Sequence, residues 1–364
     1  MKIPAIIAIA AGGTGGHVFP AAALSGELQS RGIKTVLVTD QRGDPLTTDF
    51  PCDDKLVLQT CSPNPRRPVR FIADLFGIFK ATLRAGSYLK QHGCSRVVGF
   101  GGYPSLPTLL AAKWLGLPII LHEQNAVLGR SNRLFAGSAN WIASGFDNLE
   151  RLPDKAKSRH VVTGNPLRPD ILAHSKTPFP ATDGKLHLLV LGGSLGARIL
   201  SETVPAAMDL LPVELSKRLQ VTAQITQDRL ETAQAGFERA GVTAELAPFF
   251  DDIAGRLAKA HLVVARAGAS TIAELAAIGR AAILVPLAIA MDDHQSGNAN
   301  VLKQAGAADV ISEEALTPEK LAAVLSVRLL DGDELAKRAK LAKTVARNNA
   351  AVMLADLVME KGSK

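Results

Sequence analysis

The sequence has few of the residues on which several functional classes depend. Its 364 residues include three cysteines, two tryptophans and two tyrosines. Cys52, Cys61 and Cys94 form neither a CxxC motif nor a metal-ligand spacing, and so sparse and odd a count is typical of a reducing cytoplasm. The scarcity of stacking aromatics, together with the lack of a recognition motif, argues against a nucleic-acid partner.

Long apolar runs are also missing, which argues against a transmembrane helix, since such a helix needs roughly 18–20 apolar residues. No signal peptide is predicted, because Lys2 is followed by a short apolar run that enters a glycine turn. Hydrophobic residues nevertheless make up 47% of the chain, which indicates a globular protein, and the length favours two domains. The net charge of +7 favours an anionic partner such as a nucleotide sugar, a pyrophosphate or an anionic membrane.

Apolar runs of strand length alternate with helical patterns through the whole chain. This alternation predicts an α/β fold, in which helices cover both faces of a doubly wound parallel sheet, and the pattern occurs twice. A proline-rich stretch at residues 164–185 separates the halves, and a long basic helical pattern at residues 333–360 ends the chain. The predicted strands lie at residues 6–10, 34–39, 96–100, 118–121, 140–144, 160–163, 186–191, 220–226, 243–247, 262–265, 281–285 and 309–311.

The first predicted strand ends in a turn that contains four glycines and a histidine. Residues 11–17 read AGGTGGH, and an alanine-rich helix follows. Glycines let the backbone approach a bulky ligand and a helix N-terminus favours an anion, so the turn predicts a phosphate or sugar site. A turn required only by packing is the alternative. Val18 breaks the G-x-G-x-x-G dinucleotide fingerprint, and no Lys-Ser or Lys-Thr completes a P-loop.

Further polar motifs follow other predicted strands, at the sheet edge where ligands of parallel sheets bind. They read GGYP at residues 101–104, HEQN at 122–125, GNPLR at 164–168, GGSLGA at 192–197, RAGA at 266–269 with Glu274, and DDHQ at 292–295. Together with the first glycine turn, these motifs resemble, in order and nearly end to end, those of the MurG family of bacterial N-acetylglucosaminyltransferases in glycosyltransferase family 28.

The resemblance implies a GT-B fold, in which two Rossmann-like domains face each other across a cleft. Residues 1–165 with a C-terminal helix at about 343–364 would form the acceptor- and membrane-binding domain, and residues 166–342 the UDP-GlcNAc-binding domain. The implied reaction is inverting transfer of N-acetylglucosamine from UDP-GlcNAc to the C4 hydroxyl of the muramyl residue of lipid I. The product would be lipid II for peptidoglycan synthesis, and hence for cell shape and division.

The resemblance also implies the setting of the reaction. No metal or other cofactor is expected. The family is peripheral on the cytoplasmic face of the inner membrane, so the expected partners are UDP-GlcNAc, lipid I (undecaprenyl-pyrophosphoryl-MurNAc-pentapeptide) and an anionic membrane surface.

Attack of a hydroxyl on an anomeric carbon needs a base, and His17 is the candidate. An imidazole titrates near neutral pH, and a helix N-terminus favours its neutral form. A histidine that only hydrogen-bonds ligand or backbone is the alternative. Glu123 and His122 are further candidates for proton handling or acceptor binding, with a structural ion pair as the alternative for either.

The resemblance and the side-chain chemistry together assign the donor sugar nucleotide to residues from both halves. Glu274 would accept bonds from the ribose hydroxyls or cap a helix, and Arg168 and Arg266 would meet the pyrophosphate or form salt bridges. Asn125 and Gln295 would hold sugar hydroxyls or only tie loops together. The donor set is Thr14, Gly15, Gly16, Asn125, Arg168, Ser194, Phe250, Arg266, Ala269, Ser270, Thr271, Ile272, Ala273, Glu274 and Gln295.

The acceptor is assigned to the first half of the chain. Its diphosphate would lie in the first glycine turn, and the acceptor set is Thr14, Gly15, Gly16, Tyr103, His122 and Asn132. The Asp-x-Asp form at residues 331–333 stands between two helical patterns, so it predicts a turn and an N-cap instead of a metal site.

A basic amphipathic segment lies at residues 66–84. Its apolar residues recur at helical spacing and are flanked by arginines and lysine, a pattern typical of membrane-surface helices. An ordinary core-facing helix with charged edges is the alternative. The predicted membrane face consists of Phe71, Ile72, Leu75, Phe76 and Phe79.

Other functions remain as alternatives. A UDP-GlcNAc 2-epimerase-like enzyme of the same fold would release UDP transiently and would need no lipid. A nicotinamide oxidoreductase is disfavoured by the broken dinucleotide fingerprint. A non-enzymatic membrane or division scaffold would tolerate loss of His17 and Glu274.

Overall fold

The computed structural model describes residues 6–60, 68–193, 196–287 and 293–360, with the side chains of residues 68–71 left out. The chain divides into two compact units, here called the first and the second unit. The first unit comprises Met1–Arg168 and Arg347–Lys364, and the second comprises Pro169–Ala346.

A seven-stranded parallel sheet forms the centre of the first unit. Its strands are β1 (Ile6–Ala10), β2 (Thr35–Asp40), β3 (Asp54–Leu58), β4 (Cys94–Gly99), β5 (Ile119–Glu123), β6 (Trp141–Ser144) and β7 (His160–Val162). The order is β3-β2-β1-β4-β5-β6-β7, so the winding direction reverses between β1 and β4. Parallel sheets bind ligands at the carboxyl ends of the strands, next to such a reversal.

Helices cover both faces of this sheet, because alternate strand residues contribute to separate cores. Ile7 and Ile9 of β1 belong to one buried cluster, whereas Ala8 and Ala10 belong to another on the opposite face. The helices are α1 (Gly15–Ser30), α2 (Pro68–Gln91), α3 (Gly102–Trp114) and α4 (Arg130–Ala136).

The second unit repeats this architecture around a six-stranded parallel sheet of order β10-β9-β8-β11-β12-β13. The strands are β8 (Leu186–Leu191), β9 (Leu219–Gln224), β10 (Thr243–Ala247), β11 (Leu262–Ala265), β12 (Ala281–Leu284) and β13 (Ala308–Val310). The helices are α5 (Pro169–Ala173), α6 (Arg198–Met208), α7 (Val213–Arg218), α8 (Leu230–Arg239), α9 (Ile253–Lys259), α10 (Ala269–Ile278), α11 (His294–Gln304), α12 (Pro318–Leu329) and α13 (Gly332–Thr344). The predicted fold class, with two doubly wound parallel α/β units, is therefore confirmed.

The last helix, α14 (Ala350–Met359), returns to the first unit and packs on α1. Leu354 and Val358 are fully buried there, in the same cluster as Ile7 and Leu24. Arg31 of α1 also forms a salt bridge with Asp356 at 2.6 Å. The C-terminal segment is thus part of the core of the N-terminal half.

Some predicted elements differ from the observed ones. The continuous helical pattern at residues 333–360 is two helices, because α13 ends at Thr344 and a turn that contains Asn348 and Asn349, residues of low helix propensity, precedes α14. The edge strand β3 was not predicted, since Asp54 and Lys55 are exposed and only its second half is apolar. The sequence pattern of the segment after β4 predicts a helix from about Ser105 to Leu115, and the observed helix α3 begins three residues earlier, at Gly102.

The Asp-x-Asp stretch has the predicted local structure. Asp331 is the N-cap of α13, and its Oδ1 accepts a hydrogen bond from Glu334 N at 2.9 Å. Across the described residues, no group of three or more His, Cys, Asp or Glu side chains is arranged to hold a metal ion.

Candidate active site

The first glycine turn links β1 to α1, and the buried carboxylate of Asp40 binds its backbone. This aspartate ends β2, is almost completely buried, and its Oδ1 accepts hydrogen bonds from Gly13 N at 2.9 Å and Gly43 N at 3.0 Å. A side chain at Gly12 would place its Cβ only 2.6 Å from Asp40 Oδ1, and Gly13 has a φ of +80°. The glycines are therefore required by close approach as well as by backbone conformation.

Thr14 precedes α1 in an extended conformation, and Gly15, Gly16 and His17 form the first helical turn. Thr14 and Gly16 are exposed, and His17 is half-buried. The imidazole Nδ1 of His17 lies 2.9 Å from Gln124 Oε1, which follows β5. Because β4 lies between β1 and β5, this contact joins two loops at one edge of the sheet.

The turn after β4 lies against the same histidine. Gly101 and Gly102 have φ values of +82° and +72°, and the position of a Cβ on Gly102 would be 3.4 Å from His17 Nε2. Tyr103 follows on the first turn of α3 and is half-buried. The carboxyl ends of β1, β4 and β5 thus bring His17, Gly102 and the HEQN motif together, as their positions in the sequence predict.

His122 lies beneath this site instead of in it. Its side chain is fully buried, with Nε2 3.0 Å from Gly164 O and Nδ1 3.0 Å from Gln124 Nε2. Burial, and to a smaller extent the nearby His17, lower the pKa of His122 to about 4, while the hydrogen bond to the Gly164 carbonyl acts in the opposite direction. The predicted contact of His122 with an acceptor does not fit this placement, since none of the imidazole reaches the surface of the first unit.

The carboxylate of Glu123 also points inward. Its Oε1 accepts from Asn125 N and Asn125 Nδ2, both at 3.1 Å, and its Oε2 accepts from Gly129 N at 2.9 Å and Asn132 Nδ2 at 2.8 Å. Glu123 is 2% exposed and Asn132 is 1% exposed. In this geometry Glu123 organises the loop between β5 and α4, so a proton-handling role for Glu123 and an acceptor contact for Asn132 do not fit either.

Arg168 ends the first unit and stacks on α1. Its guanidinium carbon lies 5.4 Å from the centre of the Phe19 ring, and the side chain is half-buried. Asn125 is half-buried at the end of the HEQN motif.

The second glycine turn, after β8, is held by an amide in the way that Asp40 holds the first. Gln224 Oε1 accepts from Gly192 N at 3.1 Å, and Gln224 Nε2 donates to Gly193 O at 3.2 Å. Gly193 and Gly196 have φ values of +81° and +71°. Ser194, predicted to bind the donor diphosphate, lies outside the described residues.

The predicted donor residues of the second unit gather around the carboxyl ends of β11 and β12. Ala269, Ser270 and Thr271 form the first turn of α10, and Glu274 is half-buried on the next turn. The side chain of Ile272 is buried, and Ala273 is half-buried. The hydroxyl of Ser270 is buried and has no hydrogen-bond partner among the residues that the structure describes.

Arg266 and Gln295 both make contacts within the protein. Arg266 is 9% exposed, and it donates to Val285 O at 3.2 Å and to Glu313 Oε1 at 2.9 Å. Gln295, in the first turn of α11, accepts a hydrogen bond from Leu287 N at 3.0 Å. These contacts match the salt-bridge and loop-tying alternatives for the two residues.

Phe250 lies after β10 and is 7% exposed. The guanidinium of Arg256 covers its ring at 4.1 Å, so the ring itself is occupied.

Sequence reasoning missed the groups that hold these residues in place. Gln124 lies inside the HEQN motif, and its place at a strand end is the signal that could have identified it. Asp40 and Gln224 end the strands next to β1 and β8, so the strand order would have identified both.

Comparison with known proteins places the chain in one family. Sequence models of the glycosyltransferase family 28 N-terminal and C-terminal domains match residues 7–144 and 187–354. A protein from Maricaulis maris is 47% identical over 352 residues, 96% of each chain. That relative is named UDP-N-acetylglucosamine–N-acetylmuramyl-(pentapeptide) pyrophosphoryl-undecaprenol N-acetylglucosamine transferase.

Solved structures agree with the fold. The crystal structure of MurG from Acinetobacter baumannii has a TM-score of 0.79 at 34% identity, covering 98% of this chain and 100% of that one. UDP-GlcNAc 2-epimerase from Neisseria meningitidis, bound to UDP-GlcNAc, has a TM-score of 0.68 over 99% and 100% of the chains. Its identity is only 13%, so this second likeness shows the fold alone.

Proposed function

This chain belongs to glycosyltransferase family 28, and from that premise we propose that it transfers N-acetylglucosamine from UDP-GlcNAc to lipid I. The C4 hydroxyl of the muramyl residue attacks the anomeric carbon with inversion, UDP leaves, and lipid II is formed for peptidoglycan synthesis. The observation that carries this proposal is the 47% identity to a transferase of that name over 96% of both chains. Epimerisation is less supported, since the epimerase likeness does not extend beyond the fold.

His17 is the proposed general base. Its Nε2 lies on the side of Gly102, which has no side chain to cover it, and Nδ1 is occupied by Gln124. The C4 hydroxyl gives its proton to Nε2 while the oxygen forms the new bond to the anomeric carbon. The bond from that carbon to the diphosphate breaks, and its electron pair leaves with UDP.

The first unit is proposed to bind the acceptor. Thr14 and Gly16 are exposed at the start of a 16-residue helix, and the dipole of such a helix favours a diphosphate. Tyr103 stands on the neighbouring turn. We place His122, Glu123 and Asn132 as supports of the loop that carries Asn125, because all three are buried.

The second unit is proposed to bind the donor. Glu274 is half-buried on α10 and is the acceptor for the ribose hydroxyls, and the first turn of α10 provides backbone N–H groups for the diphosphate. Ser194, Phe250 and Gln295 are further proposed contacts of the donor in this unit. Arg266, with its guanidinium already bound to Glu313, holds the loop after β12 instead of the pyrophosphate.

The exposed side of α2 is proposed to contact the cytoplasmic face of the inner membrane, where the acceptor is anchored. Ile72 is 69% exposed, Phe76 56% and Phe79 48%, and this row of side chains continues to Trp114, which meets Phe79 edge to face. Lys80 lies 4.7 Å above the Phe76 ring, so an ammonium borders the apolar side chains. Apolar side chains next to cations match an anionic lipid surface. Among the described helices, none is long and apolar enough to cross a membrane.

The test is a transfer assay with UDP-GlcNAc labelled in the sugar and a lipid I analogue, with EDTA present. We expect the label in a lipid product and no effect of EDTA. Bound UDP-GlcNAc without transfer would contradict the proposed acceptor and would favour epimerisation, which is measured by release of the 2-epimer.

Two variants separate the chemical step from donor binding, when the transfer assay is combined with calorimetry. Glu274→Ala should weaken UDP-GlcNAc binding, because the ribose loses its acceptor, and calorimetry measures this directly. His17→Ala should lower kcat by about 100-fold or more with donor affinity unchanged. Unchanged donor affinity in Glu274→Ala, or lowered donor affinity alone in His17→Ala, would remove the respective residue from its proposed role.

A further inference from the structure

Four groups of the first unit form one continuous chain of hydrogen bonds that ends at His17. Gly164 O meets His122 Nε2 at 3.0 Å, and His122 Nδ1 meets Gln124 Nε2 at 3.0 Å. Gln124 Oε1 then meets His17 Nδ1 at 2.9 Å. An imidazole nitrogen can either donate or accept, so the position of each proton has to be established from groups that can do only one of the two.

The first such group is the backbone carbonyl of Gly164. A carbonyl oxygen only accepts, so His122 Nε2 must carry a proton. His122 is fully buried and its pKa is lowered to about 4 by that burial, so the imidazole is neutral at physiological pH. Its Nδ1 therefore has a lone pair and accepts from Gln124 Nε2.

The second such group is the carbonyl of His122 itself, which sets the orientation of the Gln124 amide. Gln124 Nε2 lies 3.2 Å from His122 O and 3.0 Å from His122 Nδ1, and both are acceptors. Reversing the amide would place its oxygen against two acceptors, within a side chain that is only 2% exposed. The amide oxygen must therefore face His17.

The backbone around Gln124 is held as firmly as its side chain. Asn165 Nδ2 donates to Gln124 O at 2.9 Å, and Asn132 Nδ2 donates to His122 O at 3.2 Å. Gly145 makes room for Asn165, since a Cβ there would lie 2.3 Å from the amide oxygen of Asn165. These hydrogen bonds fix the backbone from which the Gln124 side chain extends towards His17.

We infer that Gln124 is a positioning residue that holds His17 in its Nδ1–H tautomer and so reserves Nε2 as the atom that accepts the substrate proton. This inference rests on the proposed function for the role of His17. Because the amide oxygen only accepts, it cannot stabilise the opposite tautomer, whose Nδ1 lone pair would face another lone pair. When Nε2 takes up a proton, Nδ1–H keeps the same partner, so the imidazole need not turn during the reaction.

Gly102 completes the arrangement on the other side of the imidazole. A Cβ at this position would lie 3.4 Å from both His17 Nε2 and Cδ2, in contact with the basic nitrogen. The φ of +72° at Gly102 also disfavours every residue that has a Cβ. Gln124 thus holds Nδ1 of His17, and Gly102 leaves its Nε2 accessible.

The first test needs no substitution of Gln124. Two-bond proton–nitrogen correlation spectra of the full protein, labelled with 15N in its eight histidines, report the tautomer of each imidazole. His17→Ala and His122→Gln variants assign the two signals. We expect Nδ1–H at His17 and Nε2–H at His122. Nε2–H at His17 would overturn the inference.

The second test replaces Gln124 with methionine, which has a similar length. Methionine has neither the amide oxygen that accepts from His17 nor the amide N–H that donates to His122. We expect His17 to lose its single tautomer and kcat to fall by about 10- to 100-fold, a part of what a positioned base contributes. The KM for UDP-GlcNAc should not change. Gln234→Met is the matched control, because the Gln234 amide is exposed on α8 and bonds only Glu238 among the contacts described. A kcat equal to that of the control would contradict the positioning role.

A double-variant comparison distinguishes positioning from a general loss of structure. If Gln124 acts through His17, then Gln124→Met should change kcat by less than about twofold in a His17→Ala background. A full second loss in that background would show that Gln124 acts by another route and would overturn the inference. The spectra are recorded without substrate, so absence of transfer by the unaltered protein would refute the proposed function and leave the tautomer result standing.

Discussion

At the scale of the residue, His122 combines complete burial with a neutral imidazole. It lies on β5 and contacts the turn after β7, and burial lowers its pKa from an ordinary value of 6.5 to about 4. The unfolded chain therefore binds a proton between these two pH values that the folded protein does not bind. The associated stability is complete above pH 6.5 and is lost as the pH falls towards 4.

We predict that the first unit loses about 2 kcal/mol of unfolding free energy between pH 7.5 and pH 5 through His122 alone. Urea denaturation at both pH values measures the loss. His122→Gln is the control, because it removes the titration while the other histidines with lowered pKa values, such as His160 and His187, remain. An equal pH dependence in the two proteins would contradict the assignment.

The sequence predicts which motifs lie at the site, but not which side chains face it. Residues 119–123 of β5 are all buried, as expected for a parallel strand covered on both faces, so no alternation separates inward from outward positions. His122 and Glu123 were therefore indistinguishable from ligand-binding residues until the structure gave their partners. The role of Gln124 is likewise defined only by its hydrogen bonds to His17, His122 and Asn165.

At the scale of the element, α2 has apolar residues on two sides. Ile78, Ala85 and Leu89 are buried in the core of the first unit, whereas Phe76 and Phe79 are exposed. A core-facing helix and a membrane-surface helix are the two alternatives for this segment, and the exposures are compatible with both at once. The side chain of Phe71, also predicted on the membrane face, lies outside the described residues.

We predict that Phe76→Ser combined with Phe79→Ser reduces flotation with anionic liposomes, because about 0.8 kcal/mol is lost for each methylene-sized apolar group withdrawn from lipid. Activity on a short soluble acceptor should not change. Val327→Ser with Leu330→Ser is the control, since these side chains are 63% and 58% exposed on the second unit. Equal flotation of both double variants would refute a specific membrane face.

Element boundaries depend on contacts that a local pattern does not contain. The core strands were predictable because each is a short apolar run between turn residues, and β1 and β8 are clear examples. β3 was missed because an edge strand buries only part of its residues. The periodicity of the C-terminal pattern does not separate α13 from α14, because both parts are helical and what differs is the unit to which each belongs.

At the scale of the whole molecule, the chain crosses between the units more than once. It leaves the first unit after Arg168 and re-enters it at Arg347, so α14 stabilises strands that lie more than 300 positions earlier in the sequence. The turn at Gly164 contributes to this return. A Cβ on Gly164 would lie 2.6 Å from Arg347 Cβ and 3.1 Å from Ala350 Cβ, so glycine permits the close approach of the two chain segments.

This connectivity leads to a prediction about where a C-terminal substitution acts. Leu354 is fully buried on α14 among the apolar side chains of β1 and α1. Leu354→Ala should cost about 2–5 kcal/mol through lost burial and the cavity left behind. The loss should appear in the first unit, although residue 354 follows the second unit in the sequence.

Hydrogen exchange followed by mass spectrometry locates the effect. Peptides that cover β1 and α1 should exchange faster in Leu354→Ala, because local opening of the first unit becomes easier, whereas peptides that cover β8 and β11 should keep their protection. Val352→Ala is the matched control on the same helix, since Val352 is 41% exposed and its truncation should change stability by less than about 0.5 kcal/mol. If β8 and β11 lost protection together with β1, the two units would unfold as one cooperative body, and a ligand held by the second unit would then stabilise the site on the first by mass action alone.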